Sequence, residues 1–183
     1  MNKLMINKEE AVLVLIDFQE RIMPAMHNKE ELEKTVERLV KGCKILDIPV
    51  VVTQQYTRGL GPTIPSLHEA LGDYNPIEKT SFSAMGEPEF EKELKRLGRK
   101  TIILTGIETH VCVQQTALDL IDKGYEVFLV EDCVSSRSIN DKKYAIKRMT
   151  QVGAICTTYE AVLFEILKDA KAENFKQISA LVK

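Results

Sequence analysis

Three side chains able to make and break acyl bonds stand where apolar runs of the chain end. Cys112 lies in Thr105-Gly106-Ile107-Glu108-Thr109-His110-Val111-Cys112-Val113, a few residues past a glycine that closes an apolar run. A cysteine in the first turn of a helix meets the positive end of the peptide dipoles and N–H groups that lack intrahelical partners. Both favour the thiolate, the form that attacks carbonyl carbon. The same N–H groups can stabilise an oxyanion. Asp17 terminates the apolar run Ala11 to Ile16, and Lys79 ends a shorter one before Thr80-Ser81-Phe82-Ser83. Each residue alone also has a plainer role open to it. Cys112 can be a small packing residue, Asp17 an Asx-turn cap, and Lys79 a surface cation. Of the remaining thiols, Cys43 falls on an apolar helix face and Cys156 inside a strand, so both read as packing residues. Cys133 follows a strand end.

The elements that must position these groups alternate along the chain. Val12 to Ile16, Pro49 to Thr53, Ile77 to Lys79, Thr101 to Thr105, Glu126 to Val130 and Ala154 to Thr157 read as strands. Between them, amphipathic stretches predict helices over Lys29 to Leu46, Pro88 to Leu97, Thr109 to Lys123, Asp141 to Gln151 and Glu160 to Asp169. A short one follows over Glu173 to Val182. Gly98, Gly124 and Gly153 stand as stops. The Gly- and Pro-rich stretch from Gln54 to Asn75 reads as irregular, with helical character around Leu67 to Leu71. Nearly continuous apolar strands separated by helices predict an α/β fold, a three-layer α/β/α doubly wound domain with a parallel sheet of about six strands. There is no internal repeat or linker to divide residues 1–183. In such folds ligands bind beyond the carboxyl ends of the strands. Asp17, Lys79 and Cys112 all fall there.

Composition excludes several classes. The chain has 183 residues, 44% hydrophobic and 28% charged, enough for one core without disulfides. A formal net charge of -2 gives no general attraction to nucleic acid. No apolar run approaches the roughly 18 residues of a membrane helix, and no export signal is visible, so a cytoplasmic location is expected. The four cysteines form no C-x-x-C and read as free thiols. G-x-G-x-x-G and G-x-x-x-x-G-K-[ST] are absent, so no cofactor is expected.

Taken together, the hydrophobic run with Asp17-Phe18-Gln19, Lys79 about sixty residues on, and Gly106 to Val113 resemble the isochorismatase-like hydrolases. The branch called isochorismatase domain-containing proteins is most similar, through Thr53-Gln54-Gln55-Tyr56, Gly59-Leu60-Gly61-Pro62-Thr63, Lys79-Thr80-Ser81-Phe82-Ser83 and Asp132-Cys133-Val134-Ser135-Ser136-Arg137. The resemblance implies a catalytic set of Asp17, Lys79 and Cys112, in which Asp17 handles protons, Lys79 positions it, and Cys112 forms an acyl-enzyme. It implies an oxyanion hole from the backbone N–H groups of Glu108 and Cys112, with a cis peptide at Ile107–Glu108. Dimers or higher homo-oligomers are implied, as is a small-molecule substrate. Isochorismate itself is disfavoured, because cleaving that vinyl ether does not need the cysteine.

Gln19, Gln54, Gln55 and Tyr56 look like hydrogen-bonding groups for a neutral polar substrate, or ordinary polar loop residues. Phe18 and Phe82 are candidate pocket walls, or loop anchors. His110 reads as lining the pocket mouth or facing solvent, because two residues of helix turn it away from Cys112. Arg137 reads as a structural salt-bridge partner. Amides and a phenol where the nicotinamidase members carry metal ligands make a metal site unexpected. A binding or scaffold protein that has lost catalysis is the alternative; it predicts an ordinary thiol at Cys112.

Overall fold

The computed structural model describes residues 4–183. The strands are β1 (Ala11–Ile16), β2 (Val50–Gln55), β3 (Ile77–Lys79), β4 (Thr101–Ile107), β5 (Glu126–Ser135) and β6 (Ile155–Thr157). The helices are α1 (Lys29–Ile45), α2 (Thr57–Leu60), α3 (Pro65–Leu71), α4 (Pro88–Leu97), α5 (Gln114–Asp122), α6 (Ile139–Gln151), α7 (Tyr159–Leu167) and α8 (Phe175–Val182). The strands form one parallel sheet in the order β3-β2-β1-β4-β5-β6.

Side chains on a strand alternate between faces. In β1, Ala11, Leu13 and Leu15 pack against α1, α3, α7 and α8 through Leu39, Leu67, Leu163 and Ile178. Val12, Val14 and Ile16 face the other way, towards Phe90 of α4, Leu120 of α5 and Met149 of α6. Both faces are thus covered, which is why the central strands read as unbroken apolar runs.

Two strands outrun their sequence signal. β4 continues to Ile107 and β5 to Ser135. Leu104 pairs with Leu129, but Gly106 pairs with Val134. The extra residues of β5 bulge out, and Asp132 to Ser135, expected beyond the strand, lie inside it. A bulge breaks the alternation that a sequence reading follows.

Gly106 is required by its surroundings. Its φ is +143°, and a Cβ there would stand 2.6 Å from the carbonyl oxygen of Ile16. It faces Ile16 in the β1–β4 pairing. The absent side chain lets these two strand ends close up.

Candidate active site

β1, β2 and β3 wind towards one edge of the sheet, and β4, β5 and β6 towards the other. The switch point therefore lies between β1 and β4, where doubly wound folds form a crevice. Asp17 follows β1, and the turn bearing Cys112 follows β4.

Asp17 has a φ of +56°, a left-handed conformation that aspartate tolerates better than most residues. Its N–H donates to Thr53 O at 3.2 Å, and its own carbonyl accepts from Gln19 N at 2.8 Å. The carboxylate is 1% exposed. Thr53 Oγ1 donates to Oδ1 at 2.7 Å.

Lys79 Nζ stands 2.8 Å from Asp17 Oδ2, and both side chains are buried. An ammonium has three N–H bonds. Here Gln55 Oε1 at 2.6 Å, Phe82 O at 3.0 Å and Ser81 O at 3.1 Å accept them. Lys79 thus pairs with Asp17 at close range while also touching three neighbouring oxygens. Oδ2 faces the Lys79 ammonium, and the carboxylate also engages the Cys112 thiol.

Cys112 completes the cluster. It lies in a π-helical turn, Thr109–Val113, whose backbone runs on into α5. Such turns cluster at functional positions. The thiol interacts with both Asp17 and Lys79 and is 8% exposed. Burial, then the neighbouring Asp17 charge, pushes it up to about 12, against the opposing pull of Lys79. This corrects the expected effect of the helix start: the resting thiol is protonated near neutral pH. Burial also pushes Cys43 up to about 12 and Cys133 well above the ordinary thiol value. Cys156, expected to be packed inside its strand, is exposed.

The Ile107–Glu108 peptide is cis. Glu108 enters the turn, and its carboxylate accepts from Arg137 N at 3.0 Å and from Arg137 Nε at 3.1 Å. Arg137 is therefore a partner in the wall. His110 Nδ1 stands 2.9 Å from Ser136 Oγ.

Residues 11–161 match the Isochorismatase domain family. The chain belongs to that family. Isochorismatase domain-containing protein 2 of Xenopus laevis is 41% identical over 178 residues, covering 97% of this chain and 85% of the relative. The solved structure of the MAR1 ribonuclease from Caenorhabditis elegans is 41% identical, with a TM-score of 0.91, over 97% of this chain and 92% of that one. Escherichia coli YcaC, described as an octameric hydrolase of unknown specificity, superposes with a TM-score of 0.92 at 26% identity, over 97% and 88% of the two chains. The isochorismatase-like hydrolase fold is thereby established on both sequence and shape.

Within that fold, several residues expected to meet substrate are fully engaged elsewhere. Gln19 is completely buried. Its amide donates to Gly61 O at 2.7 Å and Gln55 O at 3.0 Å and accepts from Gln55 N at 2.7 Å. It ties β1 to β2 and to the following loop. Gln54 accepts from Thr63 N at 3.3 Å and donates to Thr57 Oγ1 at 3.4 Å. Phe18 is buried in the α1-side core. All three hold loops, the other of the two roles open to them in the sequence.

Tyr56 and Phe82 differ. They are 52% and 55% exposed, and their backbones bracket Lys79: Tyr56 N donates to Lys79 O at 2.9 Å, and Phe82 O accepts from Nζ. Thr53, not singled out from the sequence, and Gln55, expected there as a polar group for substrate, orient Asp17 and Lys79. The signal was available: in a strand, residues 53 and 55 share a face that 54 does not.

Proposed function

We propose that this chain is a cysteine-dependent hydrolase of small amides or related C–N substrates. Cys112 is the nucleophile, Asp17 its base, and Lys79 the charge that holds Asp17 in place. The observation that carries the reading is the buried Asp17 carboxylate itself, which meets both the Lys79 ammonium, at 2.8 Å from Oδ2, and the protonated Cys112 thiol. A thiol held near 12 cannot rest as a thiolate at neutral pH. It needs a base as it attacks.

In that sequence, Cys112 Sγ bonds to the substrate carbonyl carbon as its proton passes to Asp17 Oδ2. The carbonyl π electrons move onto oxygen, which the backbone N–H groups of Glu108 and Cys112 receive. The oxyanion then collapses, the C–N bond breaks, and the leaving nitrogen takes the proton from Asp17. A thioester remains. Water adds to it, giving a proton to Asp17, and collapse returns that proton to sulfur as the acid leaves.

The exposed Tyr56 and Phe82 flank the approach, with His110 on the Cys112 side. By the octameric description of Escherichia coli YcaC, self-association of this chain is also proposed.

The test is a turnover screen over small amides and ureides, with intact-protein mass spectrometry to trap an acyl adduct. RNA belongs in the same panel, because the Caenorhabditis elegans relative is named a ribonuclease. Wild type should hydrolyse at least one amide and carry the adduct on Cys112. Cys112→Ala should lose both. An amide hydrolysed equally well by Cys112→Ala sinks the reading.

A further inference from the structure

We propose that this protein holds a second ligand site, for a small zwitterion of amino-acid type, in the cavity between the start of α1, the end of β5 and the start of α6. The cavity encloses about 230 Å³, and its walls include His27, Glu31, Asp132, Ser135, Ile139 and Lys142. It contains none of Asp17, Lys79 or Cys112.

The argument rests on charges that share this space without meeting. Lys142 is half-buried, and among the described residues its ammonium has neither a hydrogen bond nor an ion pair. Burial lowers its pKa. Glu131, Asp132 and Cys133 act on it only through space. Asp132 is half-buried as well, and burial raises its carboxyl pKa. Its carboxylate accepts from Tyr159 N at 2.9 Å, from its own N–H and from the Cys133 thiol, and no cation touches the group. Two opposite charges are thus each partly stripped of water, and neither offsets the other by contact. Such an arrangement costs free energy unless something with matching charges bridges it.

The wall charges select the ligand. A simple anion would satisfy Lys142 but face the carboxylates of Asp132 and Glu31. A simple cation would meet those carboxylates but face Lys142. A molecule with a carboxylate towards Lys142 and an ammonium towards Asp132 and Glu31 complements all three. Ser135 adds a hydroxyl whose Oγ already donates to His27 O at 2.8 Å, and so retains acceptor capacity. Ile139 closes one side with an apolar surface, which limits the ligand side chain to something short.

The test is a heteronuclear NMR titration of the whole chain with glycine, L-alanine and L-serine, and separately with acetate and methylammonium. The expected result is a saturable shift of amides around Ser135, Ile139 and Lys142 with an amino acid and none with either single-charge probe. Lys142→Met, which keeps the apolar stem, and Asp132→Asn, which keeps the acceptor for Tyr159, should each weaken binding about tenfold or more. Cys112→Ala should leave it unchanged. No saturable shift with any of the amino acids overturns the proposal. So does binding that Lys142→Met leaves intact, that acetate reproduces, or that Cys112→Ala removes.

Discussion

The Cys112 thiol sits between a carboxylate that raises its pKa and an ammonium that lowers it. The two partners therefore make opposite predictions for thiolate formation, although both belong to one proposed mechanism. Below its pKa, a thiol alkylates in proportion to its thiolate fraction, so the wild-type rate at Cys112 should climb about tenfold per pH unit towards about 12. Asp17→Asn removes the charge that raises the thiol. Its Cys112 should alkylate faster than wild type at pH 8, by about tenfold, while hydrolysis of any substrate is lost. Lys79→Met removes the opposing charge and should slow alkylation by a similar factor. Peptide mass spectrometry after timed iodoacetamide exposure reads each cysteine separately, with exposed Cys156 as an internal standard for reagent. If Asp17→Asn slows both alkylation and turnover, Asp17 assists deprotonation of the thiol as a base by more than its charge opposes it.

At the scale of the elements, the site depends on how closely strand ends can approach. Gly106 allows β1 and β4 to close up beside Asp17. Gly124 offers the control, since its φ is +80° and nothing lies within 4 Å of where a side-chain methyl would stand. Gly124→Ala carries conformational strain alone and should cost about 1 kcal/mol. Gly106→Ala adds a collision with the Ile16 backbone and should cost about 2–4 kcal/mol, read as a lower urea midpoint at unchanged slope. Equal losses at the two positions would mean that the close approach is not constraining. The strands themselves were legible, because a two-sided parallel sheet demands unbroken apolar runs such as Val12 to Ile16. The continuation of β5 was not, because Asp132 and Cys133 sit in a bulge that suspends the alternation. In the same way, Asp17, Lys79 and Cys112 could be picked out as chemically unusual at strand ends. The burial of Gln19 and Gln54 could not, because their backbone partners at Gly61 and Thr63 lie across an irregular loop.

Across the whole molecule, the Asp17–Lys79 pair joins the central strand β1 to the edge strand β3, with β2 supplying Thr53 and Gln55 between them. Lys79 also fastens the 81–82 loop through two carbonyls. A buried pair of this kind is a poor device for stability, because desolvation of both ions opposes their attraction. Removing one partner strands the other. Lys79→Met should therefore destabilise the chain by about 3–5 kcal/mol near neutral pH. The double change Asp17→Asn with Lys79→Met removes both charges and keeps at position 17 a residue that tolerates the left-handed backbone. It should recover most of that loss while remaining inactive. Urea unfolding of wild type and both variants makes the comparison, with native-state alkylation of Cys43 as a second reading, because that thiol is wholly buried in the α1-side core and reacts only when the core opens. Recovery in the double variant would mean that the pair is retained at a cost to stability, as expected where proton transfer sets the requirement. A double variant no more stable than Lys79→Met would instead make the pair, with its carbonyl and amide partners, a structural tie between the two strands.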